Sequence, residues 1–322
     1  MIDTLNAWQD ADKTKCKGRA GFRAGYRSLL ANGELARRAD LAKRHLQCCD
    51  LCARYCRVDR IKGINGAVCR IGENAIVYSY GAHYGEENVL RGKRGSGTIF
   101  FSGCNLRCEF CQNWEISQKR TGREVSADGL AKIMLQLQSQ GCHNINFVSP
   151  SHVVAQILEA LLLAADQGLA LPLVYNTGGY DSPEALALLD GVIDIYMPDM
   201  KYGDSAIARR YSHARDYWRV NRAAVREMHR QVGDLRLNGN GIAYRGLLVR
   251  HLVLPNQLAG TERVLKFIAN EISSDTYLNL MDQYYPCYRA KEFPELSRLI
   301  TAAEYHKALA IARRFGLNRL AE

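Results

Sequence analysis

From Thr98 onward, short apolar runs alternate with longer stretches in which apolar positions recur at helical spacing. Thr98–Ser102 predicts a first strand, and Ser126 opens a helix to Gln140 whose Leu130, Ile133, Met134 and Leu137 share one face. The alternation continues with strand 144–148, helix 153–167, strand 171–175, helix 183–189 and strand 192–197. A polar, basic helix over about 216–231 precedes strand 245–254, helix 261–272, strand 276–283 and helix 302–315. Six apolar strands, each followed by a helix, predict parallel pairing with right-handed crossovers. The expected fold class is therefore α/β, a partial (β/α)6 TIM-like barrel. We assign it to residues 96–290, with an N-terminal extension over 1–95 and a C-terminal helical segment over 291–322 packed on the barrel. Ligands of such folds sit at the carboxyl ends of the strands.

Composition narrows the class. The chain has 322 residues, 47% of them hydrophobic, enough for a full core, and holds no run of eighteen apolar residues. The opening MIDTLNAWQDADKTK is polar, so the sequence-level expectation is a cytoplasmic protein without a membrane partner. Eleven cysteines then point to metal ligation in a reducing compartment rather than to disulfides. The net charge of +10 is spread along RRADLAKRH, RGKRG and ARRFG, which reads as solvated surface rather than a nucleic-acid face.

The cysteines fall into two sets. Cys104, Cys108 and Cys111 stand in GCNLRCEFCQN with C-x3-C-x2-C spacing, directly after the first strand. Three thiolates within eight residues can hold an iron–sulfur cluster with one iron left open, which is what binding a substrate at the metal requires. A zinc knuckle or unrelated buried cysteines are the alternative, although zinc sites generally use pairs of ligands from two places. Cys49, Cys52, Cys56 and Cys69 form C-x2-C-x3-C-x12-C, with Gly63 and Gly66 allowing the chain to turn back. Four thiolates make the extension a cysteine-rich metal-binding unit, for structural zinc or an auxiliary [4Fe–4S] cluster. Cys48 can in principle replace Cys49. Cys16 and Cys142 read as bystanders, and Cys287 follows a strand that should end near the site.

The runs RGSGTIFFSGCNLRCEFCQNWEIS, HNINFVSPSH, LVYNTGGYDS, DIYMPDMKY, EMHRQVGDL and RHLVLPNQLAG resemble the radical S-adenosylmethionine (SAM) superfamily. Within it they resemble the PflX-type branch related to the pyruvate formate-lyase activating enzyme, over nearly the whole chain from about Leu46. The resemblance implies a [4Fe–4S] cluster on Cys104, Cys108 and Cys111 that binds SAM and cleaves it reductively to a 5′-deoxyadenosyl radical. It further implies hydrogen abstraction from a protein or peptide, a glycyl-radical target being one form, and a flavodoxin- or ferredoxin-type electron donor. The upstream cysteine set is similar to that of radical SAM proteins associated with Memo-like partners. Radical modification of a small metabolite, peptide natural product or RNA base is the second reading, and a non-enzymatic metal-binding scaffold the third.

The resemblance also implies SAM contacts. Where the activating enzymes carry Gly-Gly-Glu after the second strand, this chain has Val148-Ser149-Pro150-Ser151-His152, without a glutamate. Ser149, Ser151 and His152 are the candidates there, His152 alternatively serving the helix N-terminus. Asn176 and Thr177 suit a polyhydroxyl ligand, the alternative being a simple strand-to-helix turn. Asp199 and Lys201, two residues apart, can point together into the cleft or form an ion pair at the barrel rim. Arg250 is read as a carboxylate clamp facing the interior and His251 as a core histidine on the opposite face. Asn279 and Gln283 can close the adenine side or bond across the barrel, with Tyr284, Tyr285 and Cys287 just beyond. The segment 210–233 is longer than a crossover needs and reads as a helix with one packed and one basic face.

Overall fold

The computed structural model describes residues 22–321, so Cys16 lies outside the described residues. Among these, nine strands form one sheet: β1 (Ala75–His83), β2 (Ser96–Phe101), β3 (Arg123–Val125), β4 (Ile145–Val148), β5 (Leu173–Thr177), β6 (Ile195–Pro198), β7 (Arg236–Leu237), β8 (Ala243–Leu252) and β9 (Tyr277–Met281). The run β2-β4-β5-β6-β8-β9 is parallel throughout. It is the partial barrel. β1 lies antiparallel on β2, β3 on β1, and β7 on β8.

Helices follow the parallel strands because the local signals agree with the apolar periodicity. Ser126 and Ser182 cap the helices Ala127–Ser139 and Pro183–Leu189, each accepting a backbone N–H at 3.2 Å. Thr301 and Glu304 form a reciprocal capping box on the last helix, Ala302–Arg314. Alternation along each strand sorts two interiors. Ile99, Phe101, Ile145, Phe147, Tyr175, Tyr196, Leu247 and Val249 face the helices in the main core. Val174, Ile195, Met197 and Leu248 face inward and gather a separate apolar cluster with Val89 and Leu90.

Residues 22–95 are woven into this body. Helix Glu34–His45 buries Leu35, Ala39 and Ala42 in the same core as helix Val154–Asp166, and Arg27 Nη1 donates to the Ala165 carbonyl at 2.7 Å. Asp194 is a buried anchor: its oxygens accept from the N–H groups of Gly25 (3.2 Å) and Leu173 (3.0 Å), while burial pushes its carboxyl up to about 7. At the other end, Leu278 and the backbone of Arg319 and Ala321 exchange hydrogen bonds, so the tail covers the free edge of β9. Among the described residues, no helix is long and apolar enough to cross a membrane.

Candidate active site

β2 delivers the first cysteine loop to the carboxyl end of the barrel. Gly103, with φ of +78°, turns the chain out of the strand, and Cys104, Cys108 and Cys111 follow within the turn. Each sulfur has a polar neighbour: the Leu106 N–H donates to Cys104 Sγ at 3.3 Å, the Ser212 hydroxyl lies 2.9 Å from Cys108 Sγ, and Ser117 Oγ lies 3.2 Å from Cys111 Sγ. Burial pushes the Cys104 thiol up to about 12 and the Cys108 thiol up to about 11; each neighbouring sulfur charge adds to this, and Lys201 acts against it. The three thiols lie near enough for the charge of one to oppose ionisation of the next. Only strong cations can hold them all as thiolates here, and the irons of a cluster, with these hydrogen bonds to sulfur, meet that need.

Beside the loop, polar groups crown the barrel. Asp199 takes Lys201 Nζ at 2.6 Å on one oxygen and Arg250 Nε at 2.9 Å on the other, and Arg250 Nη2 donates to Asn176 Oδ1 at 2.7 Å. Burial opposes the Asp199 charge, but Arg250 and Lys201 outweigh it and hold the carboxyl below its usual range. The Tyr217 hydroxyl accepts from the Lys201 N–H (3.1 Å) and donates to the Gly178 carbonyl (2.9 Å), fixing the loops after β5 and β6. Inside lies a cavity of about 410 Å³, lined by Val148, Asn176, Arg250 and Asn279 from the strands, by Gln283, which lies two residues beyond the end of β9 rather than within the strand as expected, and by Asn113, two residues after Cys111. Glu86 and Glu87 line it too. They belong to the turn after β1, and Asn279 Nδ2 donates to Glu87 Oε1 at 2.9 Å.

Residues 98–243 match the radical SAM superfamily. An uncharacterized protein of Methanocaldococcus jannaschii is 32% identical over 291 residues, covering 87% of this chain and 79% of its own length. The chain belongs to the radical SAM superfamily. With that membership come a [4Fe–4S] cluster and SAM as cofactors, and reductive cleavage of SAM as the chemistry they supply. Among solved structures, a radical SAM methyltransferase from Sphaerobacter thermophilus is 14% identical with a TM-score of 0.46, over 68% of this chain and 64% of that one. Methylornithine synthase is 13% identical with a TM-score of 0.44, over 93% of this chain and 76% of that one.

The structure of this radical SAM protein separates the residues read as SAM contacts into two groups. Asn176, Asp199, Lys201, Arg250, Asn279 and Gln283 converge on the cavity or the cysteine loop; Gln283 also receives Gln112 Nε2 on its carbonyl at 2.9 Å. Ser149, at φ of +58°, follows the cavity-lining Val148 and donates its N–H to the Asn176 carbonyl, but is not itself among the residues lining the cavity. Ser151 and Thr177 are buried in a closed network instead. Their hydroxyls meet at 2.8 Å, and Thr177 donates to Asp181, which also receives Tyr175. His152 is buried behind the loop, its Nε2 2.9 Å from the Ser102 carbonyl, and burial, aided by Arg60, lowers it to about 3. His251 is buried on the outer face, bonded to the Met200 carbonyl (2.6 Å) and Thr261 Oγ1 (2.9 Å).

Cys49, Cys52, Cys56 and Cys69 line one enclosed pocket together with Arg60 and His152. Among the described residues, no group of three or more His, Cys, Asp or Glu is drawn to single-ion spacing. Arg60 is the residue the sequence reading missed here. Fully buried, it donates to Cys49 Sγ (3.5 Å) and to the carbonyls of Ile71 and His152 (both 2.8 Å), placing a fixed positive charge among the four sulfurs. The two cysteine loops also touch: a Cβ on Gly103 would lie 2.7 Å from the Cys69 carbonyl. Arg54 adds a tie by donating to the carbonyls of Asn105 (2.5 Å) and Ser212 (3.2 Å).

Proposed function

We propose that this radical SAM protein abstracts hydrogen from a protein or peptide segment admitted at the barrel mouth, in the manner of an activating enzyme. Cys104, Cys108 and Cys111 would hold the cluster, and Asn176, Asp199, Lys201 and Arg250 would orient SAM. One observation carries the reading: the 410 Å³ cavity is lined by Asn113, two residues after Cys111, and by Gln283, and the chain beside these lining residues carries the aromatic side chains of Trp114, Tyr285 and Tyr288. Tyr285 is 47% exposed, and Tyr288 stacks on Trp114 at 5.3 Å between ring centres. Rigid aromatic surfaces of this kind suit a chain segment laid across the opening. The second reading, radical modification of a small metabolite, peptide natural product or RNA base, draws on the closed apolar floor formed by Val89 and Leu90, which makes the chamber finite.

Cys49, Cys52, Cys56 and Cys69 would hold the second metal, zinc or a [4Fe–4S] cluster. The net charge of +10 suits docking of an acidic flavodoxin- or ferredoxin-type donor. The decisive test is anaerobic metal analysis with EPR of the reduced protein, with and without SAM, on wild type and on a Cys104→Ala/Cys108→Ala/Cys111→Ala variant. A [4Fe–4S]+ signal that SAM perturbs and the variant loses is expected, and the metal remaining in the variant identifies the second site. A carbon-centred radical left on a polypeptide partner would support the activating reading. A signal indifferent to SAM would overturn the assignment of the triad.

A further inference from the structure

The turn after β1 does two things inside the barrel. Its helix Asn88–Arg91 presses Val89 and Leu90 onto Val174, Ile195, Met197 and Leu248, sealing the lumen from below. Just before that plug, Glu86 and Glu87 face the cavity between the two outer strands of the parallel run, β2 and β9, with Glu87 bonded to Asn279 of β9. Arg250 and Lys201 are both engaged by Asp199, and among the described residues no lysine, arginine or histidine forms an ion pair with either glutamate.

Two buried polar side chains there keep atoms without a well-formed hydrogen bond, and both adjoin the Glu86 carboxyl. Glu87 is 9% exposed and its Oε2 accepts no hydrogen bond among the described residues. Asn146 is 0% exposed on the face of β4 that Val148 shares; no hydrogen bond of good geometry completes its Oδ1 or Nδ2, and its amide acts on the neighbouring Glu86 carboxyl. Leaving such a group unsatisfied costs about 1–3 kcal/mol, and Glu87 lines the cavity, so its unbonded oxygen points to a ligand that completes it. The required ligand group is small, rich in N–H donors and positively charged.

We propose that Glu86 and Glu87, with Asn146 and Asn279, form a receptor at the inner end of the lumen for a cationic nitrogen group, a primary ammonium or a guanidinium, of the molecule that loses hydrogen. This rests on the hydrogen-abstraction reading and names the chemistry of its substrate. Burial pushes Glu86 up to about 7, with Arg250 and the Asn146 amide opposing it and Glu87 adding to it, so an arriving cation would stabilise the second negative charge.

Ligand-observed NMR on the reconstituted protein at pH 8 tests this with n-butylammonium, methylguanidinium, n-butanol and butyrate, and with an acetylated, amidated Gly-Lys-Gly peptide beside its norleucine analogue. The cations are expected to bind and the neutral and anionic isosteres not, with affinity falling about 10- to 100-fold in Glu87→Gln and in Glu86→Gln, as for a lost charged hydrogen bond. The lysyl peptide binding in preference to its norleucine analogue would assign the cation to a polypeptide side chain. Cation binding with the peptide excluded would assign it to a free amine. Equal binding of n-butanol and n-butylammonium to wild type overturns the proposal without any variant. So does a Glu87→Gln protein that keeps amine affinity but loses the SAM-perturbed EPR signal, since the pair would then serve SAM. Failure of the radical reading shows separately, as wild-type EPR indifferent to SAM.

Discussion

Asp199 is the residue on which the crown of the barrel depends, because it neutralises two buried cations at once. Asp199→Asn is expected to destabilise the protein by about 3–5 kcal/mol, as for breaking one side of a buried pair, and to weaken SAM binding; urea unfolding and equilibrium dialysis check the two effects. His251 gives a pH signature. Its short bond to the Met200 carbonyl requires a donated Nδ1 proton, which leaves Nε2 to accept from Thr261, and burial lowers its pKa from 6.5 to about 4. Between those values the unfolded chain binds a proton that the folded one refuses, so stability falls as pH drops from about 6.5 to 4, on the order of 3 kcal/mol in total. In His251→Gln the slope of unfolding free energy against pH should lose roughly one proton equivalent over that window. An unchanged slope would contradict the neutral, buried assignment. Strand alternation alone distinguishes Arg250 from His251. Nothing comparable flags Glu86 and Glu87, which sit in the short polar stretch HYGEEN and become part of the chamber only through the tertiary path of their turn.

At the scale of elements, the six parallel strands and their helices were legible because periodicity, caps and apolar runs agree with one another. β1, β3 and β7 were not. β1 reads AIVYSYGAH, with an exposed outer half, and β3 and β7 are too short to show a period; β3 is paired by β1, more than forty residues upstream, and β7 by a local hairpin with β8. The contact of Gly103 with the Cys69 carbonyl makes the two cysteine loops one packing unit. Gly103→Ala would add a Cβ both at a left-handed backbone position and against a backbone oxygen, so the loops must separate. Iron and zinc per chain after anaerobic reconstitution should fall at both cysteine sets, and loss confined to the Cys104 loop would show that the sets are independent. Arg60→Met tests the buried charge in the same assay. It should reduce metal retention at the second site proposed for the four-cysteine pocket, because removal of a fixed cation leaves the sulfur charge uncompensated.

For the whole molecule, the plug at the base of the barrel sets an order of events. Val89 and Leu90 leave the ribosome before every strand of the parallel run, yet their apolar partners lie on β5, β6 and β8, more than eighty residues downstream at the earliest. The first barrel piece synthesised is therefore among the last to find its burial, a long-range closure that folds slowly. Until β8 arrives the lumen has no floor, and until β9 docks one side of it stands open to the solvent. A ribosome-stalled chain ending before Ala243 should be cut by protease within 85–92, whereas the complete protein resists there. Loading of iron and sulfide thus has a natural interval during biogenesis, after the cysteine loops exist and before the chamber around them is sealed.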